Sequence, residues 1–562
     1  MCLDMKSQEE IEYEERVKKR VLILRDLMQQ GRIRFAESMR DKIEASFMKA
    51  RFDENGEPDL STIDGIIRST ALMAEHMDYR EKMKDAISLI EIQRRYFSII
   101  DGNFNTFYKI MIENQATPHQ IASHIAYNSR DIDFLDKAIK PLLEDIEEFW
   151  KMVAESGYIH LEDDTKAIRA VFGGDLFPQN NENIASKCGL YTDTVVLPCP
   201  FIRAKNLFDR WGKQERVYYL LKLALNILQY KDLAIADLAT PIVVILPDKE
   251  MLDEFTLKQM QELGEKDTLF HANKVFGRDF KSIEELIDFG KSLDTVDKVI
   301  NEIKEPQKVL FNTEFNEPLK IQIENQINGQ SGQLMGTKNP GIIVSLLGAG
   351  RMSVCNELLI KSLKVHGVPL IDAPTSWEYF KWKLEYDTER AFPNRDFGHL
   401  HLVRGLTQLD NTNLNWIGKI PPEGLIEIRK TGAIDEIRAI LSNGIDELTK
   451  SNELDFLSTS KRVFENLNEA LKRHQENIAT LKNKKWKVAG HDFGSWIVMG
   501  TVEIAAACIG TPLYGLSAFA LDQLLDAPKI KDLPNSIDKV KDINKQQKTL
   551  RQTPMGLIFK YK

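Results

Sequence analysis

Five cysteines in 562 residues, odd in number and without a CxxC pair, are too few and too scattered for a disulfide framework or a zinc ribbon. Cys2, Cys188, Cys199, Cys355 and Cys508 read as reduced thiols, which fits a reducing compartment. An excess of basic charge is also missing. The 75 Lys and Arg are outweighed by 84 Asp and Glu, a net of −9, so the chain as a whole has no electrostatic pull on nucleic acid and nucleic acid is not an expected partner. The N-terminal MCLDMKSQEEIEYEERVKKR is charged from the start and carries no apolar h-region, so a signal peptide is not expected and a cytoplasmic protein is. No repeat of 20–50 residues is visible, which argues against a solenoid. What remains, 43% apolar and 28% charged, is ordinary soluble usage and excludes a wholly disordered chain, a collagen-like fibre and a polytopic membrane protein. The length suggests about three or four domains.

Hydrophobic spacing predicts a mainly α, multidomain fold. Val17, Val21, Leu24 and Met28 line one helix face, Gly31 interrupts it, and Phe35, Met39, Ile43 and Phe47 continue at spacing four. Residues 53–58 have turn chemistry, and further amphipathic runs reach about residue 165, giving a helical bundle over 1–171. The stretch 172–189 reads as a loop. Strands are expected at 190–197 and 241–246, with a helix over 214–231 between them, in an α/β domain covering 190–326. A second α/β segment, 341–420, is expected to hold a strand at 342–347, a helix at 353–364 and a strand at 368–372. A helical region follows over 421–490, then an apolar Gly/Ala-rich hairpin over 491–527 and a basic tail over 528–562.

Several patterns bear on chemistry. Gly348-Ala349-Gly350-Arg351-Met352-Ser353 after the expected strand, with Asp372 further on, approaches a dinucleotide fingerprint. Such a turn lets the backbone come close to a pyrophosphate while an acid holds ribose hydroxyls. Gly348, Gly350 and Asp372 are therefore candidate cofactor-binding residues, although Ser353 replaces the third glycine and a glycine-rich turn is the plainer account. No cofactor is specified beyond that. Gly332–Lys338 fails the phosphate-loop spacing. His399 and His401 would share one face of a strand but lack an evident third metal ligand, so no metal is assigned. Residues 117–137 faintly suggest a helix-turn-helix, but Asp131, Asp133 and Asp136 would repel phosphate. Asp248, after Pro247, reads as a helix cap and not as a nuclease acid. The aromatic run Trp377, Tyr379, Phe380, Trp382 and Tyr386 reads as a packed helix.

The segment 495–521 has Glu503 as its only charge, and Gly510-Thr511-Pro512 divides it into two short legs. Residues 528–562 then carry nine basic and three acidic residues. Basic flanks suit an anionic membrane surface, so Trp496, Gly500, Gly510, Gly515 and Phe519 are candidate membrane or partner contacts, with the protein peripheral to the inner membrane through 495–562. Buried core helices are the plainer account of such runs.

The stretch Leu414-Asn415-Trp416-Ile417-Gly418-Lys419-Ile420-Pro421-Pro422, followed by LIEIRKTGAIDEIRAIL and the ending Thr553-Pro554-Met555-Gly556-Leu557, resembles large, uncharacterised bacterial proteins. In these a short helix after the prolines precedes helical hairpins and a Gly/Ala-rich C-terminal segment. Some resemble components of defence against phage. The resemblance covers the last third of the chain and brings no catalytic residues. The leading expectation is a non-enzymatic interaction or effector protein of bacteria, with a protein partner, acting through exposure of 495–521. The alternatives are a nucleotide-dependent enzyme using the Gly348–Gly350 turn and a helical scaffold for a partner protein.

Overall fold

The computed structural model describes residues 7–33, 35, 37–128, 132–174, 184–248, 254–389, 397–408, 414, 420–483, 487–488, 491–492, 545, 549 and 552–560. The fold is mainly α with a small parallel sheet. The chain divides into two compact units, residues 1–92 with 149–164, and residues 93–148 with 165–562.

The first unit contains α1 (Gln8–Gln29), α2 (Glu37–Phe47) and α3 (Gly65–Ala86). Two long helices, α4 (Leu89–Glu113) and α6 (Ile132–Asp163), contribute residues to both units. The expected face of α1 is buried at Val17, Val21 and Leu24, with Leu27 added to it and Met28 partly buried against the same core. Opposite it α3 buries Ile67, Ala71 and Ala74, and the two alanines allow close helix approach. A capping box at Ser7 and Glu10 starts α1, and Asp64 caps α3 by accepting from the backbone of Ile66 and Ile67. Gly31 ends the first helical stretch at φ +68°. The expected spacing-four face of α2 is only partly used: Ile43 is buried, while Met39 stays exposed.

The second unit begins its own elements with α5 (Pro118–Asn128), which packs on α9 (Lys213–Leu228). Its sheet is built from β1 (Arg169–Phe172), β2 (Thr194–Pro198), β3 (Val243–Leu246) and β4 (Gly367–Leu370). All pairs are parallel and the order is β3-β2-β1-β4. Arg169 faces Thr194 on one side and Gly367 on the other, and Val195 faces Val243. Strands β1 to β3 are fully buried, which is why they read as continuous apolar runs without alternation. Between β1 and β2 lies α7 (Ile184–Cys188). Between β2 and β3 lie α8 (Pro200–Phe208), α9 and α10 (Lys231–Ile235).

The long connection from β3 to β4 is helical. It contains α11 (Glu254–Phe276), α12 (Ile283–Ser292), α13 (Val296–Glu302), α14 (Leu319–Asn328), α15 (Gln330–Met335), α16 (Pro340–Ser345) and α17 (Leu347–Lys364). Phe276, Phe280, Leu286, Val299, Ile323 and Ile343 form a core there, and α17 packs on α11, β1 and β4. After β4 come α18 (Pro374–Glu389), α19 (Gly398–Thr407), α20 (Pro422–Lys430), α21 (Ile434–Ser442), α22 (Ile445–Ser451) and α23 (Phe456–Asn483). A minimal pair, β5 (Lys487–Val488) and β6 (His491–Asp492), follows. A last helix, α24 (Pro554–Phe559), buries Met555, Leu557 and Ile558, and Lys560 pairs with Glu427 of α20 at 2.8 Å.

Two expected strands are helices. Residues 342–347 belong to α16 and the start of α17, because Asn339 caps that run by accepting from Ile342 N at 2.9 Å and Pro340 opens it. Residues 398–402 are the first half of α19, so His399 and His401 do not share a strand face. The strands of the two expected α/β segments form one sheet, which β1 joins from within the expected bundle.

Candidate functional site

The strand order places a reversal between β1 and β4. The first three strands are added in one direction, and β4 is added on the other side of β1. In open parallel sheets a ligand crevice forms at the carboxyl ends of the strands flanking such a reversal. Gly173 and Gly174 follow β1 there. Gly173 N donates to Leu370 O at 3.1 Å, prolonging the β1–β4 pairing. Gly174 adopts φ +75°, and a Cβ on it would lie 2.8 Å from Ile371 Cδ1 and 3.0 Å from Leu358 Cδ2. A side chain at Gly174 would thus meet both strain and collision. Past the end of β4, Ile371 is buried and Asp372 is exposed.

Toward β3 the same edge is closed by buried charge. Asp248 receives Lys361 Nζ at 2.8 Å and Arg203 Nη1 at 2.6 Å. Arg203 Nη2 reaches Glu357 at 3.3 Å, and Lys361 Nζ also donates to Leu246 O at 3.2 Å. Burial opposes charge on Asp248, but Lys361 and Arg203 prevail and hold its carboxyl below the usual range. At Glu357 burial prevails over Arg203, and with the added repulsion of Asp248 the carboxyl is pushed up. The four groups pin α8 and α17 to the end of β3. Both oxygens of Asp248, expected as a helix cap, accept from these cations, and residues 249–253, which it would cap, lie outside the described residues.

A second buried cluster lies beside α17. Lys383 pairs with Asp267 and Asp387, each at 2.8 Å, and Asn356 donates to Asp267 at 2.7 Å. His271 Nε2 faces the Lys308 carbonyl at 3.1 Å, so that nitrogen carries the proton and Nδ1 accepts from the Tyr386 hydroxyl at 3.0 Å. Burial first, and then the charge of Lys308, pull the His271 pKa down to about 4. The aromatic run on α18 is packed as expected: Tyr379 donates to Leu310 O at 2.7 Å, and Trp377 meets Phe456 edge to face.

Gly348 and Gly350 lie in the first turn of α17 with α16, not a strand, before them. A Cβ on Gly348 would come within 3.1 Å of His271, so this glycine serves the approach of α17 to α11. Of the three residues proposed from sequence for a cofactor, only Asp372 lies at a strand's carboxyl end. His399 Nδ1 bonds the Tyr191 hydroxyl at 2.6 Å. His401 stacks on Phe456 and spends both nitrogens on Thr459 and the Glu453 carbonyl. Among the described residues no group of three or more His, Cys, Asp or Glu is placed to hold a metal. Trp496, Gly500, Gly510, Gly515 and Phe519 lie outside the described residues. Among those described, one helical stretch, Pro340–Lys364, is long and apolar enough to cross a membrane; 56% of its most apolar window is buried, and α17 within it packs on the sheet.

Sequence reasoning missed β1, Gly173, Gly174, Arg203, Glu357 and Lys361. The apolar run Ala170-Val171-Phe172 before two glycines was the available signal for the first three. No local pattern marks the charged residues, which meet only in the fold. Comparison with protein-family models, curated proteins and solved structures returns no match.

Proposed function

We propose that the second unit binds a nucleotide-type ligand at the carboxyl edge of its sheet, between β1 and β4. The strand reversal carries this reading, since it is topology that opens a crevice at this point. One feature suits it chemically: Asp372, exposed just past the end of β4, carries a carboxylate that accepts hydrogen bonds from sugar hydroxyls. The site replaces the Gly348–Gly350 turn as the place for a nucleotide and keeps Asp372. The buried ion group at Arg203, Asp248, Glu357 and Lys361 acts as the rigid wall on the β3 side.

Thermal unfolding of the intact protein against a panel of nucleotides tests the reading. A ligand at 100 times its Kd stabilises by about 2.7 kcal/mol. The unfolding temperature rises with at least one nucleotide, and Asp372→Asn, an exposed substitution, reduces the rise. A flat response across the panel overturns the proposal.

A further inference from the structure

A groove of about 480 Å³ runs between α18, α19 and the first turns of α23. Trp377 and Lys381, Arg404 and Gln408, and Ser460 and Lys461 line it. It adjoins the carboxyl edge through one side chain. Arg404 Nη1 donates to Ile371 O at 3.2 Å, immediately before Asp372; burial pulls the Arg404 pKa down to about 10 against the opposing charges of Glu378 and Asp372. The guanidinium sits 4.2 Å from the centre of the Trp377 ring. With the Gln408 amide oriented to satisfy both groups, its oxygen accepts from Arg404 Nη2 at 2.7 Å and Nε at 3.3 Å. The hydrogen-bonding edges of Arg404 are thereby spent. What it offers a ligand is a flat cationic face already fixed in orientation.

The other charges of the groove are unevenly committed. Glu378 is paired with Lys381 at 2.8 Å, and Asp455 accepts from Ser458 N at 3.0 Å as the cap of α23. Lys461 is exposed and makes no ion pair among the described residues. The groove thus presents one planar stacking surface and one uncommitted ammonium, in a volume at the lower end of ligand pockets of about 300–1,000 Å³.

We infer that this groove receives the base and phosphates of a single nucleoside phosphate, the base stacked on the Arg404 guanidinium that lines it and a phosphate at Lys461. The inference rests on the nucleotide reading of the β1–β4 edge and extends it by naming the groove that holds the base. Guanidinium planes are regular stacking partners of nucleobases, and a lysine binds phosphate as a point charge.

Calorimetric titration of the intact protein with ATP, adenosine and inorganic triphosphate is the test. Lys461→Ala weakens ATP and triphosphate about tenfold and leaves adenosine unchanged. Ser460→Trp, on the half-exposed start of α23, fills the groove without touching the Arg404 bonds and weakens ATP and adenosine at least about tenfold. Arg404→Lys keeps the charge, removes the plane and weakens adenosine. If ATP binds both Lys461→Ala and Ser460→Trp as it binds the parent protein, yet is lost from Asp372→Asn, the groove assignment falls and the sheet-edge reading stands. If the parent protein binds neither ATP nor its fragments, the groove assignment falls, and the nucleotide panel decides the edge reading separately.

Discussion

His271 shows how one buried side chain makes stability depend on pH. Its pKa falls from 6.5 to about 4 because burial and Lys308 disfavour the imidazolium. The unfolded chain takes up a proton near 6.5 and the folded protein does not. The contribution of His271 is therefore complete above pH 6.5 and is lost as the pH falls toward 4. The full loss is about 3 kcal/mol by linkage. His401 is shifted in the same direction by burial and adds with the same sign. Urea unfolding from pH 7 to pH 4 checks this: His271→Gln flattens the curve in that window. Curves that stay parallel would show that the proton is not excluded at His271. None of this was legible beforehand, since His271 lies in an unremarkable helical run and its partners Lys308 and Tyr386 come from distant segments.

Among the elements, those whose boundaries carry chemistry were readable and those that relied on hydropathy alone were not. Strands β2 and β3 are short apolar runs closed by proline; β3 occurs where the sequence places it, while β2 begins only at Thr194, the expected start Leu190–Asp193 forming a turn instead. The run Ile342–Leu347 is as apolar as β3, and periodicity cannot separate a buried strand from a buried helix at that length. The deciding signal was Asn339-Pro340, an N-cap followed by proline in the first turn. His399 and His401 alternate with leucines as strand residues do, yet α19 is buried on most of its surface and its pattern carries no period to read. The cap supports its own prediction. Asn339→Ala removes the bond to Ile342 N and costs about 1 kcal/mol, read as a lower urea midpoint at unchanged slope. An unchanged midpoint would mean that packing alone holds the start of α16.

The whole molecule is organised by a sheet that joins distant parts of the chain. The mainly helical class and the small α/β middle follow from composition and spacing, but the partnership of β1 with β4 does not, because nothing local encodes it. Splitting the middle into 190–326 and 341–420 cuts through one sheet and leaves β1 outside both parts. A fragment of residues 165–340 therefore lacks β4 and α17, so β1 keeps an open edge and an uncovered face. It is expected to be insoluble or molten, measured by sedimentation and amide-proton dispersion, whereas the intact chain stays soluble and folded. A soluble, well-dispersed 165–340 fragment would show that β4 is dispensable.

The same pairing has a consequence for synthesis. About 200 residues separate Phe172 from Gly367, and chains grow at about 5–20 residues per second. For about 10–40 s β1 waits on the nascent chain without β4, and for about the last 6–24 s of that interval β2 and β3 are present as well. During that interval the edge of β1 that will pair with β4 is unpaired backbone, open to other nascent chains. The burden of this architecture thus falls on the cell's chaperones while the protein is being made, and slowing translation of the helical connection from α11 to α17 would prolong it.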